Sequence, residues 1–576
     1  MRILLIYPYF LEERIHADEI SVPPMGIYYV GAVLKDNGYS VEVLNWHDIH
    51  NTPHLITETL ERTDPDIIGF SILHANRWGG IEIARKAKTL NPDVKIVFGG
   101  IGATFLWRHL MTHFEEIDFT VLGEGEYSFL HLVKAIQKGG HERLRSIKGL
   151  AFRQASGLEH TEPAPPIQDL DLLPMPARHF TYSHVAFTRG CPGNCTFCGS
   201  PLFWGHRVRA HSPGYFVDQL ELLKQKGVKH FYFSDDTFTY RPASVIKICR
   251  EIIRRNLDIT WAAISRVNDI NAELLSWMRR AGCTQISYGI ESGSPTVREH
   301  LNKNIKTRQV IQTFGLTQQY GIMARAYFIY GSPGENDETI QATIDLIRTI
   351  KPLGAIFYIL DLFPGTRLYT EFKKRLHITD DIWLERVEDI LYFENDPDLT
   401  REMILDFGHR LRTDFYRHLP DFVDDVDLIP DSSFDRLHAD FCSRLAMTFS
   451  HGDYSRIADI NNPRAVAEKL YRKALGYHPD HRAYLGLGML YQQQHRTGDS
   501  QTIVQQGLAE FPDSFDLCLC QAVNHMNNRD YQTALSLLLV HKNRQVAREY
   551  ITQCYYELGE HANAEAAKNR SGELKC

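Results

Sequence analysis

Three cysteines, Cys191, Cys195 and Cys198, fall within eight residues in the stretch AFTRGCPGNCTFCGS. Thiolates are soft ligands, and a triplet spaced x3 then x2 on a tight loop lets three sulfurs converge on one metal centre. Two centres suit that donor set. A structural zinc closes its tetrahedron with a fourth Cys or His; His206 or His211 would have to supply it, because no second cysteine pair follows. An iron–sulfur cluster held by three thiolates leaves one iron open to a substrate or cofactor, which is a catalytic arrangement. Gly190, Pro192, Gly193 and Asn194 mark an exposed turn, a poor setting for a trio of buried free thiols. The other seven cysteines (Cys249, Cys283, Cys442, Cys518, Cys520, Cys554 and Cys576) are scattered. They read as reduced thiols in a cytoplasmic protein.

The elements around the triplet must hold it at a strand end. The 576 residues exceed one ordinary domain of roughly 150 residues. With 43% apolar and 23% charged residues the chain can bury sizeable cores, and its net charge of −8 gives no reason to expect nucleic acid as a partner. Nowhere do about 18 apolar residues follow one another, so no transmembrane segment is expected. In residues 1–145, RILLIYP, YSVEVLN, DIIGFSI, VKIVFGG and DFTVLGE alternate with helical patterns. This predicts a flavodoxin-like, Rossmann-type doubly wound parallel sheet, with glycines on its carboxyl edge where such sheets bind ligands. A Pro-rich linker spans 146–182. In residues 183–372, HVAFT, KHFYFSDD, DITWAAI, TQISYGIE, MARAYFIYG and AIFYILDLF predict a partial (β/α)6 barrel with its site at the strands' carboxyl ends. A helical connector follows over 373–460. Residues 461–576 form an all-α repeat domain: FPD at Phe511 returns 33 residues after HPD at His478, and Ala467, Tyr471, Ala474, Tyr484, Leu487, Gly488 and Tyr491 match tetratricopeptide spacing.

Polar residues cluster after the barrel strands: Asp235 and Asp236 in FSDDTF, Ser265 and Arg266 in AISRVN, Glu291 and Ser292 in GIESGS. Together with Cys191, Cys195 and Cys198 at the end of the first barrel strand, these positions resemble radical S-adenosylmethionine enzymes. The resemblance implies a 4Fe–4S cluster whose open iron chelates S-adenosylmethionine, with one electron, from a donor such as flavodoxin or ferredoxin, releasing methionine and a 5′-deoxyadenosyl radical. It implies that Phe197 packs on adenine, that Asp235 and Asp236 meet the methionine amino group, that Arg266 pairs with its carboxylate, and that Glu291 and Ser292 hold ribose hydroxyls. One of the two aspartates could instead cap the next helix.

The N-terminal domain resembles the cobalamin-binding subfamily of these enzymes. The matching residues are Pro23, Pro24, Met25 and Gly26 in VPPMGIYYVGAVL, Ser71 in GFSIL, Gly99 and Gly100, and the GEGE run holding Gly123, Glu124 and Glu126. Glycines after strands let the backbone approach a large ligand. The D-x-H-x-x-G motif of classical cobalamin domains is missing after the first strand. Asp48 and His50 in DIHNTP follow the second strand and read as a loop coincidence, and His16 lacks the flanking Asp and Gly. Cobalt is therefore expected without a protein imidazole beneath it. Gly102 stands where relatives often have His.

The expected enzyme methylates an unactivated carbon of a small-molecule or peptide substrate. A radical enzyme that forms a ring or a carbon–carbon bond without cobalamin is the alternative. A third reading, from another class, is an interaction protein built on the repeats with a relic barrel; the intact cysteines argue against it. The repeats could bind a protein partner in either case.

Overall fold

The structure is a computed structural model that describes residues 1–11, 25–139 and 141–569. The chain divides into two units, one of residues 1–317 and 323–415, the other of residues 318–322 and 416 onward.

In the first unit, five apolar runs form parallel strands: β1 (Arg2–Tyr7), β2 (Ser40–Asn45), β3 (Ile67–Ser71), β4 (Lys95–Gly99) and β5 (Phe119–Val121). Their order is β2-β1-β3-β4-β5. The order reverses at β1, which pairs with β2 on one side and β3 on the other. That switch opens a crevice at the carboxyl edge. The sheet then continues through β6 (Leu150–Gln154) and β7 (Gly157–His160), both antiparallel. This corrects the expected linker of 146–182: its first third belongs to the sheet. Gly157, at φ +120, makes the turn between these strands.

The barrel is built from β8 (His184–Val185), β11 (His230–Phe233), β12 (Thr260–Ser265), β13 (Cys283–Glu291), β14 (Met323–Tyr330) and β15 (Gly354–Ile359), all parallel and adjacent in chain order. A small antiparallel pair, β9 (Thr188–Arg189) and β10 (Arg209–Ala210), braces the loop between β8 and β11. In β14 every second residue is buried, so Ala324, Ala326 and Phe328 face the helices while Arg325 and Tyr327 face the lumen. The crossover helices start where the sequence signals them. Ser212, Asn271 and Asn336 cap helices Pro213–Gln225, Ala272–Arg280 and Asp337–Ile350 through their side chains.

The expected helical connector of 373–460 is corrected in two ways. Residues 377–400 carry short 3₁₀ turns and an isolated antiparallel bridge from Leu391 to Asp361. They form a strap fastened to the N-terminal domain, where buried Arg77 donates to the carbonyls of Trp383, Glu385 and Glu388 at 2.9–3.0 Å. The second unit also begins well before residue 461. Within it, helix Asp435–Ser450 packs on helix Pro463–Tyr477, with Ser450 and Tyr471 hydroxyls 3.0 Å apart and Arg482 donating to Ser443 at 2.8 Å. Helices opening at Pro463, Thr497 and Tyr531 recur every 34 residues, each followed by an antiparallel-packing partner such as His481–Gln493 or Phe515–Asn527. Close approach needs small residues: a Cβ at Gly486 would lie 2.3 Å from the Tyr471 ring. Among the described residues, no helix is long and apolar enough to cross a membrane.

Candidate active site

The cysteine loop leaves β9 through Gly190, at φ +101, and is tied down along its length. The Thr196 amide donates to Leu301 carbonyl at 3.0 Å, its carbonyl accepts from the Leu368 amide at 2.9 Å, and Asn302 donates to the Asn194 carbonyl at 2.6 Å. The Gly193 amide points at Cys191 Sγ, 3.4 Å away, and Arg266 Nη1 lies 4.0 Å from Cys195 Sγ. A Cβ at Gly193 would meet that guanidinium at 2.7 Å, so glycine lets the arginine lie over the loop. Burial pushes the Cys191 thiol above its ordinary value and Cys198 up to about 12. Thiolates here therefore need a cationic centre to replace their protons, and three anchored thiols with donors above them fit a cluster. His211 does not complete a zinc site. It is stacked on Tyr215 at 4.3 Å, bonded to Tyr29 and Asp171, and driven down to about 4 mainly by burial.

The two aspartates after β11 separate. Asp236 faces the cavity and accepts from Ser200 Oγ at 2.5 Å. Burial raises its carboxyl, against that hydrogen bond. Asp235 does not face the cavity: it is fully enclosed and accepts from the Phe187 amide (3.2 Å), the Thr188 amide (2.6 Å) and the Thr188 hydroxyl (2.5 Å). Burial pushes it up to about 7 while these bonds pull it back. The expected cofactor role of Asp235 is thus corrected to a clamp on the segment leading to Cys191. Ser265 is likewise spent on Thr239, leaving Arg266, directed at Cys195 Sγ, as the donor of that pair nearest the cysteine loop. Glu291 sits at φ +66, where the β13–β14 register shifts, and its carboxylate pairs with Lys303 at 2.6 Å. Ser292 bonds to Thr343 and the Ser294 amide. Neither Glu291 nor Ser292 is among the residues lining the cavity. Phe197 is partly exposed beside Cys198.

A cavity of about 800 Å³ joins the carboxyl edge of the N-terminal sheet to the barrel lumen. Met25, Gly26, Ser71, Gly99, Gly100, Gly123 and Glu124 all line it. Pro24 and His16 lie outside the described residues. Gly26 and Gly123 have nothing within 4 Å of a Cβ position, and Gly100 takes φ +96 with Ile72 carbonyl 2.8 Å from where a Cβ would be. A bare backbone edge of this kind suits a broad flat ligand. Among the described residues, this sheet contributes no histidine to the lining, and His50 sits exposed on the short helix Ile49–Asn51 away from it. Glu124 faces the cavity with its carboxylate already engaged by Arg189, Arg209 and the Ile167 amide. Arg189 also holds Glu126 at 2.6 Å. Sequence reasoning missed Arg189, Arg209, Ser200 and Lys303, whose partners are 12 to more than 60 residues away; no local pattern marks them.

Comparison with known proteins bears on these residues. The model of the radical SAM superfamily matches residues 185–347, and that of the B12 binding domain matches residues 18–133. An uncharacterized methyltransferase of Pyrococcus horikoshii is 33% identical over 381 residues, covering 64% of this chain and 82% of that protein. An anaerobic magnesium-protoporphyrin IX monomethyl ester cyclase of Rubrivivax gelatinosus is 30% identical over 404 residues, covering 66% and 71%. Among solved structures, the radical S-adenosylmethionine methyltransferase TsrM from Kitasatospora setae, with cobalamin and a [4Fe-4S] cluster bound, aligns with TM-score 0.58 and 18% identity over 83% of this chain and all of that one. This likeness is one of fold.

Proposed function

The chain belongs to the radical SAM superfamily, in the group that carries an N-terminal B12 binding domain, and from that premise we propose that it methylates an unactivated carbon. When bound, the cluster and S-adenosylmethionine supply a radical and cobalamin carries the methyl group. The observation that supports this reading is the single cavity: the glycine edge of the flavodoxin-like sheet and the Asp236 side of the barrel open into one chamber. Ser200, two residues after Cys198, and Asp236 line it; the neighbouring loop's Cys191, Cys195 and Cys198 would hold the cluster, Asp236 would receive the ammonium of S-adenosylmethionine, and Arg266, over that loop, would receive its carboxylate. Gly26, Gly99, Gly100 and Gly123 give the backbone room beside cobalamin. The protein's work is to position these groups and exclude water. S-adenosylmethionine labelled in its sulfonium methyl tests the reading. Label in the product supports it, and a product without label overturns it. A second reading, radical ring closure or carbon–carbon bond formation, is favoured by the 30% identity to a cyclase; it expects the unlabelled product. We place the enzyme in the cytoplasm, where its nine described cysteines, all unpaired, stay reduced, with flavodoxin or ferredoxin as electron donor. The tetratricopeptide-like helices are proposed to dock a protein partner or a peptide substrate.

A further inference from the structure

One cation in the cavity has no counterpart. Arg325 lies on β14 in register with Ser287 on β13 and Gly354 on β15, and Ile264 on β12 continues the same row. Arg325, Ser287 and Ile264 all line the cavity, with Gln285 two residues below Ser287 and Tyr327 two above Arg325. Among the described residues, Arg325 has no hydrogen-bond or ion-pair partner, although it is partly buried. The other arginine of the lining, Arg189, is committed to Glu124 and Glu126. His184 and His211, the two histidines of the lining, are both pushed down to about 4, chiefly by burial. Asp236 also lines the cavity but accepts from Ser200 and makes no ion pair with Arg325; a partly buried guanidinium with no carboxylate bonded to it is costly unless a ligand supplies one.

We infer that the barrel lumen takes a substrate bearing a carboxylate, which Arg325 receives as a planar fork with help from Ser287, Gln285 and the Tyr327 hydroxyl. The geometry favours a single carboxylate over a phosphate dianion, because one free positive charge is available and the neighbouring donors are neutral. The remainder of such a substrate is apolar, to match Ala262, Ile264 and Ile356. This inference rests on the reading of the cavity as the radical enzyme's reaction chamber, with Arg266 serving S-adenosylmethionine and leaving Arg325 for the substrate.

The test uses the reconstituted full chain and two fluorescent probes, cis-parinaric acid and its methyl ester. The wild type is expected to bind the acid about tenfold more tightly than the ester, the difference of one charge-assisted hydrogen-bonded pair. Arg325→Gln should bring the two affinities together, and Arg325→Lys should keep a reduced preference. Equal binding of acid and ester by the wild type overturns the inference without needing any variant to fold. So does an acid preference that survives in Arg325→Gln. If Arg325→Gln instead weakens S-adenosylmethionine binding while the acid-to-ester ratio stays put, the arginine belongs to the cofactor. Cluster absorbance and deoxyadenosine formation by the wild type, read in parallel, test the radical reading separately.

Discussion

Arg189 is the residue whose removal should be most informative. Its guanidinium is enclosed, 2.6 Å from Glu126 and 3.3 Å from Glu124, and lies over Tyr29 and Trp204 at 5.0 and 5.2 Å. Burial alone would lower its pKa; Glu126 and Glu124 outweigh that and raise it. In Arg189→Met, Glu124 keeps Arg209, but Glu126, its side chain 3% exposed, loses its partner. Breaking a buried pair on one side costs about 3–5 kcal/mol, because a bare charge stays behind. The loss should appear as faster hydrogen exchange in peptides covering 119–130 and 185–210, the two strands of the chain that the pair joins. Arg189→Met/Glu126→Gln should recover most of it, since no buried charge is then left unpaired. A loss under about 1 kcal/mol, or one that Glu126→Gln does not relieve, would refute the view that this network bears the joint.

Four further outcomes are expected. Alanine at Cys191, Cys195 and Cys198 together should abolish cluster absorbance and deoxyadenosine formation after anaerobic reconstitution, whereas serine at the buried Cys249 should leave iron content unchanged. Asp236→Asn should weaken S-adenosylmethionine binding about tenfold in equilibrium dialysis; Asp235→Asn should instead cost about 2 kcal/mol of stability, because its amide opposes a backbone N–H, with affinity little changed. Bound Co(II)-cobalamin should give paramagnetic resonance lines unaltered by His50→Ala, since that side chain sits apart from the cavity lining. A chain ending at residue 460 should aggregate, because helix Asp435–Ser450 would lose Tyr471 and Arg482 as partners; high solubility in gel filtration would show that this helix stands without them.

The strands were legible because burial on both faces writes continuous apolar runs, as in RILLIY and IIGFS, and the glycines of the carboxyl edge stand directly after them. The hairpin of β6 and β7 was not, because a half-polar edge pair such as GLEH carries little periodicity and lies against a Pro-rich stretch. The strap at 377–400 was hidden for a different reason: its anchor is a set of backbone carbonyls meeting Arg77, and carbonyls leave no trace in residue type. At Asp235 and Asp236 the sequence named the right pair and could not choose between them. Adjacent residues at a strand end point to opposite sides, so only one reaches the cavity, and register decides which. Arg325 was present in the alternation of MARAYFIY, a charged residue on the face opposite Ala324, Ala326 and Phe328. Its meaning needed the neighbouring strands, which supply no carboxylate to meet it.

The GEGE run explains how two ligand sites can be kept in register. Gly123 opens the sheet edge to the cavity, and the next residue, Glu124, reaches across to Arg189 and Arg209. Arg189 is two residues ahead of Cys191, and Glu126 grips it from the other side. A network of four buried charges therefore links the backbone beside the glycine edge to the loop that carries the thiols. Ion pairs of this kind add little net stability, because desolvation consumes most of their attraction. Their directional bonds do fix geometry, and group transfer between a carrier and a radical site depends on positions held within about half an ångström. The buried charges are thus better explained by positioning than by stability, and the Arg189→Met/Glu126→Gln pair separates the two: stability returns in the double variant, while product formation should stay depressed because the joint is no longer directional.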